Sequence, residues 1–412
     1  MVDPRHIGPS TPALFEYGTS FDELTHYLFR YPAKFHPPIV RALLDRLSEP
    51  GETVYDPFIG SGSLAIEAMA TGRNALGTDI DPLAVAVARA KTRRYQIPSL
   101  RQHAAHLLER LERHERPEAE YEKRMFVDLS NANLDRQLHG LRAYVPDIPT
   151  IEHWFRRYVI VDLARIKREI AALDAPASQK ALFEIVFASI IRNASNADPV
   201  PVSGLEVTSH MLRKDAEGRL VNPFRLFKRA IAKSLDAVER FTNATRPSNF
   251  ALIRQCDATS ANMHKRSAYQ AAITSPPYHG AVDYYRRHKL EMYWLAQTKN
   301  EEERRALLDQ YIGRLRVPRT NGFLDKPSVG PLSAFWEQRI RELKPSRASG
   351  FRHYQTTMRS VFCRLAEGLD EGRPLALVVG HSSWNGTEFP TADLFEEIAG
   401  RQFALRDVLN YP

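Results

Sequence analysis

The sequence predicts an α/β fold built on a mostly parallel sheet, with a large helical insertion. Three observations predict it. Short apolar runs end in Gly, Pro, Ser or Asp; helical segments alternate with them; and a glycine turn follows the first run directly. Short buried strands interleaved with helices are the pattern of a parallel sheet covered on both faces.

The strand runs are TVYDPF (53–58), NALGTDI (74–80), AAITSPP (271–277) and PLALVVG (374–380), with NFALIRQCDA (249–258) as a weaker fifth. Helices are expected at SLAIEAMATG (63–72), between the first two strands, and at PLAVAVARAKTRR (82–94). From about 95 to 245 the apolar positions of HLLERLERHE, NLDRQLHGLRAYV, IVDLARIKREIAAL and QKALFEIVFASIIRNA recur at helical spacing. That stretch is too long for a simple crossover. The expected organisation is therefore a core formed by 1–94 and 246–412, with 95–245 as a helical insertion and 297–350 as a second, turn-rich one. FALRDVLNY near the end reads as a sixth strand, and a seventh has no candidate. Either the chain is truncated after Pro412 or another segment completes the sheet.

Composition bounds the function. Hydrophobic residues at 43% and charged residues at 26% fit a soluble globular chain and exclude a disordered or collagenous one. The longest apolar stretch, near 181–191, is too short to span a bilayer and carries Glu184. The first residues lack the basic-then-apolar pattern of a signal peptide, so a cytoplasmic location is expected. A net charge of +8 permits a polyanionic partner. Cys256 and Cys363 are the two cysteines, too few for a disulfide framework or a four-cysteine zinc site, and both are expected to be buried. No His/Cys/Asp cluster has metal-ligand spacing, so no metal is expected.

Two motifs carry chemistry. In VYDPFIGSGSLAIEA (54–68), Gly60 and Gly62 let the backbone approach a ligand at a helix N-terminus. Nineteen residues past Gly60, Asp79 closes the second strand, where an acid can accept both hydroxyls of a ribose. Asp81, followed by Pro82, is the better helix cap. The pair reads as a site for an adenosine-containing cofactor. Leu64 and Ala65 break the dehydrogenase fingerprint, and no Gly-Lys-Ser/Thr phosphate loop is present. In AAITSPPYHGAVDYY (271–285), Pro276 and Pro277 force the chain out of the sheet. The Ser275 hydroxyl, nearby carbonyls and Tyr278 then form a cup of acceptors with a stacking face, suited to an exocyclic amine on a planar base.

Together, DPFIGSGS and TSPPY resemble the amino-methylating DNA methyltransferases, as do YPAKFHPPIVRALL (31–44), SPPYHGAVDYYRRHKLEMYWL (275–295) and LALVVGHSSWNGTEFPTADLFEEIA (375–399). The similarity covers about 31–94, 250–296 and 370–412. It implies a Rossmann-like class I methyltransferase fold and S-adenosylmethionine as cofactor. Asp56, Phe58, Gly60, Ser61 and Gly62 would surround that cofactor, Asp79 its ribose and Asp257 its adenine edge, with Lys34, Phe35 and His36 in the preceding cofactor-side motif. Ser275, Pro276, Pro277 and Tyr278 would be catalytic. The serine form of the motif is associated with cytosine N4 and the Asp or Asn form with adenine N6, so Ser275 points to cytosine N4, with adenine N6 as the second reading. Methylation of RNA and a silent nucleic-acid-binding relative are further readings. The resemblance implies duplex DNA as substrate, with the target base flipped out, and a cognate restriction endonuclease as partner. Neither cysteine stands beside proline, which argues against cytosine C5 chemistry.

Arg286, Arg287 and Lys289, just past the catalytic turn, are the leading phosphate contacts. Arg314, Arg316 and Arg319 in the second insertion, and Arg225, Lys228 and Arg229 in the first, are further candidates. For any one of these clusters taken alone a solvated helix face is the commoner reading, and the position of Arg286 and Arg287 beside the catalytic turn makes that cluster the strongest. His153, Trp154 and Phe155 read as core or stacking groups.

Overall fold

The structure is a computed structural model that describes residues 24–32, 34–199, 205–260, 267–279, 284–313, 327–380, 382–384 and 387–408. After α1 (Pro37–Leu47) come β1 (Thr53–Asp56), α2 (Ser63–Ala70), β2 (Asn74–Asp79) and α3 (Pro82–Thr92). Among the described residues, eight helices precede the next strand: α4 (Ile97–Glu112), α5 (Glu118–Phe126), α6 (Asn131–Leu138), α7 (Ile151–Trp154), α8 (Arg157–Ala171), α9 (Ala177–Ala194), α10 (Ser209–Ala216) and α11 (Pro223–Ala244). Next are β3 (Ala251–Gln255), β4 (Ala271–Thr274), α12 (Tyr284–Arg287), α13 (Lys289–Trp294), α14 (Glu301–Leu308), α15 (Pro331–Leu343) and α16 (Pro345–Gly368). The last elements are β5 (Leu375–Leu377), β6 (Ser382–Trp384), β7 (Thr387–Phe389) and α17 (Thr391–Ala399).

The five strands β1 to β5 form one sheet in the order β3-β2-β1-β4-β5, parallel throughout. All five predicted strands are present, and the predicted α/β class holds. Alternation along the strands explains how both faces are covered. Val54, Ala271 and Ile273 pack with α1, α2 and α3, whereas Tyr55 and Ala272 pack with Trp336, Phe351, Tyr354 and Phe362 of α15 and α16 and Phe395 of α17. Proline at the first helical turn starts α1, α3, α15 and α16, where its missing N–H costs nothing. The helices between β2 and β3 share a core with α3 and α13, in which Trp294 meets Phe155 and Phe187 edge-on at 5.8 and 5.9 Å.

Two expectations are corrected. FALRDVLNY is not a strand through residue 408, its last described position. Phe403 packs against Phe362 of α16, but Leu405 is exposed and no strand pairs with the run among the described residues. Cys256 and Cys363 are half-buried rather than buried.

Candidate active site

The order β3-β2-β1-β4-β5 reverses direction between β1 and β4. At such a switch point the connections leave the sheet on opposite faces and open a crevice at the carboxyl ends of the strands. The glycine turn follows β1 and the Ser-Pro-Pro-Tyr turn follows β4, so both stand at this crevice. The two are also bonded to each other. Thr274 Oγ1, at the end of β4, donates to Asp56 Oδ1, at the end of β1, across 2.6 Å.

Asp56 shapes the first turn. The same Oδ1 accepts the Phe58 N–H at 2.9 Å, and burial pushes the carboxyl up to about 7 against the pull of these two hydrogen bonds. Ile59 N–H donates to the Thr78 carbonyl at 2.9 Å, so the turn lies over the end of β2. Gly60 (φ 49°) and Gly62 (φ 89°) adopt left-handed backbone, which only glycine enters without cost. Their surroundings differ. A Cβ on Gly62 would stand 3.0 Å from Ala88 Cβ of α3, whereas a Cβ on Gly60 would meet nothing nearer than Tyr31 Cε1 at 3.8 Å. Gly62 therefore serves helix packing, and Gly60 keeps open the space beneath Tyr31. Gly62 caps α2 with no side-chain acceptor, which leaves the first N–H groups of that helix available to a ligand.

Asp79 is half-buried, with Oδ2 accepting Gly60 N–H at 2.8 Å and Oδ1 accepting Asp81 N–H at 2.9 Å. Burial, reinforced by the neighbouring Asp81, pushes its carboxyl up to about 7. Asp81 caps α3 through Leu83 and Ala84 N–H, as Pro82 at N1 predicts. On the far side of β2, Cys256 N–H donates to the Asp79 carbonyl at 2.9 Å. Asp257 follows, exposed, accepting the Thr259 N–H and hydroxyl at 2.8 Å each. Asp79 ends β2, and Asp257, Gly60 and Ser275 follow the ends of the adjacent strands β3, β1 and β4.

The second turn is held mainly by contacts through its carbonyls, because Pro276 and Pro277 supply no N–H. Val378 N–H donates to the Thr274 carbonyl at 2.9 Å. Tyr354 Oη of α16 donates to the Pro277 carbonyl at 2.9 Å. The Tyr278 hydroxyl accepts Gly380 N–H at 2.7 Å and donates to the Val378 carbonyl at 3.4 Å, which fixes the ring. Gly313 (φ 91°) closes on the same residue: a Cβ there would lie 2.9 Å from the Tyr278 carbonyl oxygen. Among the described residues, Ser275 Oγ and the Pro276 carbonyl have no hydrogen-bond partner, so this turn offers those two acceptors. His279 follows with both ring nitrogens buried and unpartnered among the described residues. Burial, with Arg347 adding to it, pushes that ring down to about 4.

The cofactor-side segment points two ways. Phe35 packs into the core beneath the sheet with α1, and His36 is the exposed N-cap of that helix. Lys34 Nζ donates to the His26 carbonyl at 2.8 Å and lies 4.3 Å from the Tyr27 ring centroid. Burial, aided by Arg30, pushes its amine down to about 8. Phe58 and Ser61 lie in the glycine turn itself, Phe58 half-buried and Ser61 buried.

The basic candidates divide. Arg286 is exposed with Glu206 at 3.5 Å, and Arg287 is half-buried, its carbonyl accepting Arg192 Nη1 of α9 at 2.8 Å. Lys289 is half-buried, and burial lowers its amine while Glu301 opposes the shift. Arg225 and Lys228 pair with Glu118 and Glu112, whereas Arg229 is exposed. Arg314, Arg316 and Arg319 lie outside the described residues. Of the stacking candidates, Phe155 is core, Trp154 is half-buried against it and His153 is exposed. Among the described residues, no helix is long and apolar enough to cross a membrane, and no group of three or more His, Cys, Asp or Glu could hold a metal.

Sequence reasoning gave no role to Thr274, Tyr31 or Tyr354. Thr274 and Tyr31 lie inside the quoted motifs, but only the fold shows Tyr31 over the glycine turn and Thr274 on Asp56. Tyr354 has no local signal, because its partner is 77 residues away.

The parallel sheet and its paired turns define a Rossmann-like methyltransferase fold. A DNA methylase family model matches residues 15–90. The chain is 25% identical over 327 residues to the type II methyltransferase M.MvaI of Kocuria varians, covering 75% of this chain and 65% of that protein. It is 36% identical over 76 residues to the type II methyltransferase M.MjaII of Methanocaldococcus jannaschii, covering 18% of this chain and 14% of that protein. The chain thus spans less than two thirds of the length of these relatives. No solved structure matches it significantly. The chain is thus similar to the amino-methylating DNA methylases, most clearly over residues 15–90.

Proposed function

We propose that this chain is a site-specific DNA methyltransferase that moves a methyl group from S-adenosylmethionine to the N4 amine of cytosine in duplex DNA. The observation that carries the reading is the hydrogen bond from Thr274 to Asp56, which ties the two turns together at the sheet's switch point. The names of the similar proteins, both type II methyltransferases, support it.

The residues fit the cofactor. The open space at Gly60, the uncapped N–H groups of α2 and the two-oxygen carboxylate of Asp79 make a cradle for an adenosine-type ligand. Asp79 would hold the ribose hydroxyls, Asp257 the adenine edge, and the segment 56–62 the remainder. Lys34, Phe35 and His36 would support this side from the segment leading into α1. S-adenosylmethionine supplies a methyl group on a sulfonium, which departs as a neutral thioether while the methylated amine gives one proton to solvent.

The chain's own residues prepare the amine. An aromatic exocyclic amine is a poor nucleophile, because its lone pair is conjugated with the ring. Ser275 Oγ and the Pro276 carbonyl would accept its two N–H groups and draw the nitrogen toward tetrahedral geometry. Most of the rate gain would come from alignment and from electrostatic stabilisation of the developing cation. Tyr278, its hydroxyl pinned by Gly380, would stack on the extruded base.

Duplex DNA would be held by Arg286, Arg287 and Lys289, with Arg314, Arg316 and Arg319 as further contacts. We assign target recognition to the helices of 95–245, because Arg192 of α9 bonds the chain beside the catalytic turn. Within 297–350, whose α15 covers the sheet, the chain following α14 would contact DNA, because Gly313 abuts Tyr278. A cognate restriction endonuclease would be the partner of such an enzyme. The test is methyl transfer from labelled S-adenosylmethionine to duplex DNA, digested to nucleosides and read by mass spectrometry. N4-methylcytosine is expected. N6-methyladenine would change the base assignment, and no methylated nucleoside would end the proposal.

A further inference from the structure

The hydroxyl of Tyr354 reaches into the turn that carries Ser275 and Tyr278 from a helix the sequence motifs do not touch. Tyr354 is buried on α16, on the face of the sheet opposite α1 to α3, and donates to the Pro277 carbonyl at 2.9 Å. Its ring lies 5.6 Å from that of His279 and 6.4 Å from that of Phe395 of α17. Pro276 and Pro277 supply no N–H, so the turn has two fewer donors of its own, and its Pro277 carbonyl is held by a donor from another element. With the Pro277 carbonyl engaged, Ser275 Oγ and the Pro276 carbonyl remain to meet a ligand.

We infer that Tyr354 is a positioning residue of this turn: its hydroxyl bond to the Pro277 carbonyl aims the neighbouring Pro276 carbonyl and Ser275 Oγ at the target amine. The inference rests on the methyl-transfer reading above. A small misplacement of groups that must align with a reacting amine lowers the rate without weakening cofactor binding. Burial also pushes the Tyr354 phenol up, so it stays a protonated donor at every working pH.

The experiment compares wild type, Tyr354→Phe and Phe351→Leu in the full chain. Phe351 is buried one turn earlier on α16 and lies 5.4 Å from His279, but has no hydroxyl. The readouts are kcat and KM for methyl transfer to duplex DNA, S-adenosylmethionine Kd, and Tm, with kcat taken per folded molecule. Tyr354→Phe is expected to lower kcat by about tenfold to a hundredfold, with Kd unchanged. Phe351→Leu is expected to lower Tm and leave kcat unchanged. A Tyr354→Phe kcat equal to wild type would overturn the inference alone. So would losses in both variants that track Tm, since that is what a packing role would give. A wild-type chain that transfers no methyl group to DNA would overturn the inference and the functional reading together.

Discussion

Thr274 and Asp56 face each other across the point where the sheet order reverses, and the 2.6 Å bond between them joins the strands that carry the two turns. Both residues are buried, at 1% and 2% exposure, so water cannot replace either partner. Thr274→Val keeps the shape and removes the donor. Loss of a buried hydrogen bond to an ionisable partner costs about 1–3 kcal/mol. Urea unfolding at pH 8 should show a loss of that size, and the variant should transfer methyl groups more slowly than wild type.

With Asp79 holding the cofactor's ribose as proposed, cofactor binding should depend on pH. Its carboxyl is raised from 3.8 to about 7 in the folded chain, by burial and by Asp81. Between these values the native state holds a proton that the unfolded chain has released. Stability from this group therefore falls as pH rises from about 4 to 7 and is level above. Binding runs the other way, because the ionised form is the better acceptor for two ribose hydroxyls. Calorimetric titration should give an S-adenosylmethionine affinity about tenfold weaker at pH 6 than at pH 8. Asp79→Asn should bind weakly at both, with that dependence removed.

Gly60→Ala and Gly62→Ala should separate binding from packing. Each puts an L-residue in left-handed backbone, at a cost of about 1–2 kcal/mol. At Gly60 the new methyl has room, so thermal unfolding should change little beyond that, while cofactor affinity falls as the space under Tyr31 is filled. At Gly62 the methyl stands 3.0 Å from Ala88 Cβ, which adds an overpacking cost of about 1–3 kcal/mol. Calorimetric melting of the two variants checks the order.

Arg286→Ala should weaken duplex binding by a similar factor on every sequence. A phosphate contact carries no sequence information, and its loss should reduce the slope of log affinity against log salt by about 1. Fluorescence anisotropy at several salt concentrations measures this.

Much of this arrangement is legible in the sequence because strand ends and turns announce themselves locally. DPFIGSGS and TSPPY each show a strand closing on residues that cannot continue it, and Asp81-Pro82 states its own helix cap. Contacts that need the assembled sheet are invisible there. Tyr354 meets Pro277 only because α16 crosses behind β4. The end of the chain misled for the opposite reason. FALRDVLNY has strand-like side chains, but Leu405 is exposed, and a strand needs a neighbour as well as a pattern. The antiparallel β6–β7 pair has a local sequence signal, Asn-Gly at 385–386 between short β-prone runs, which the alternation of strands and helices does not contain.

The central claim is that the two turns act as one site, the first holding the cofactor and the second presenting the amine. Ser275→Ala tests it most directly, assayed side by side for S-adenosylmethionine binding and for methyl transfer to duplex DNA. The account predicts a cofactor Kd equal to wild type with transfer abolished; normal turnover by the alanine variant would contradict it.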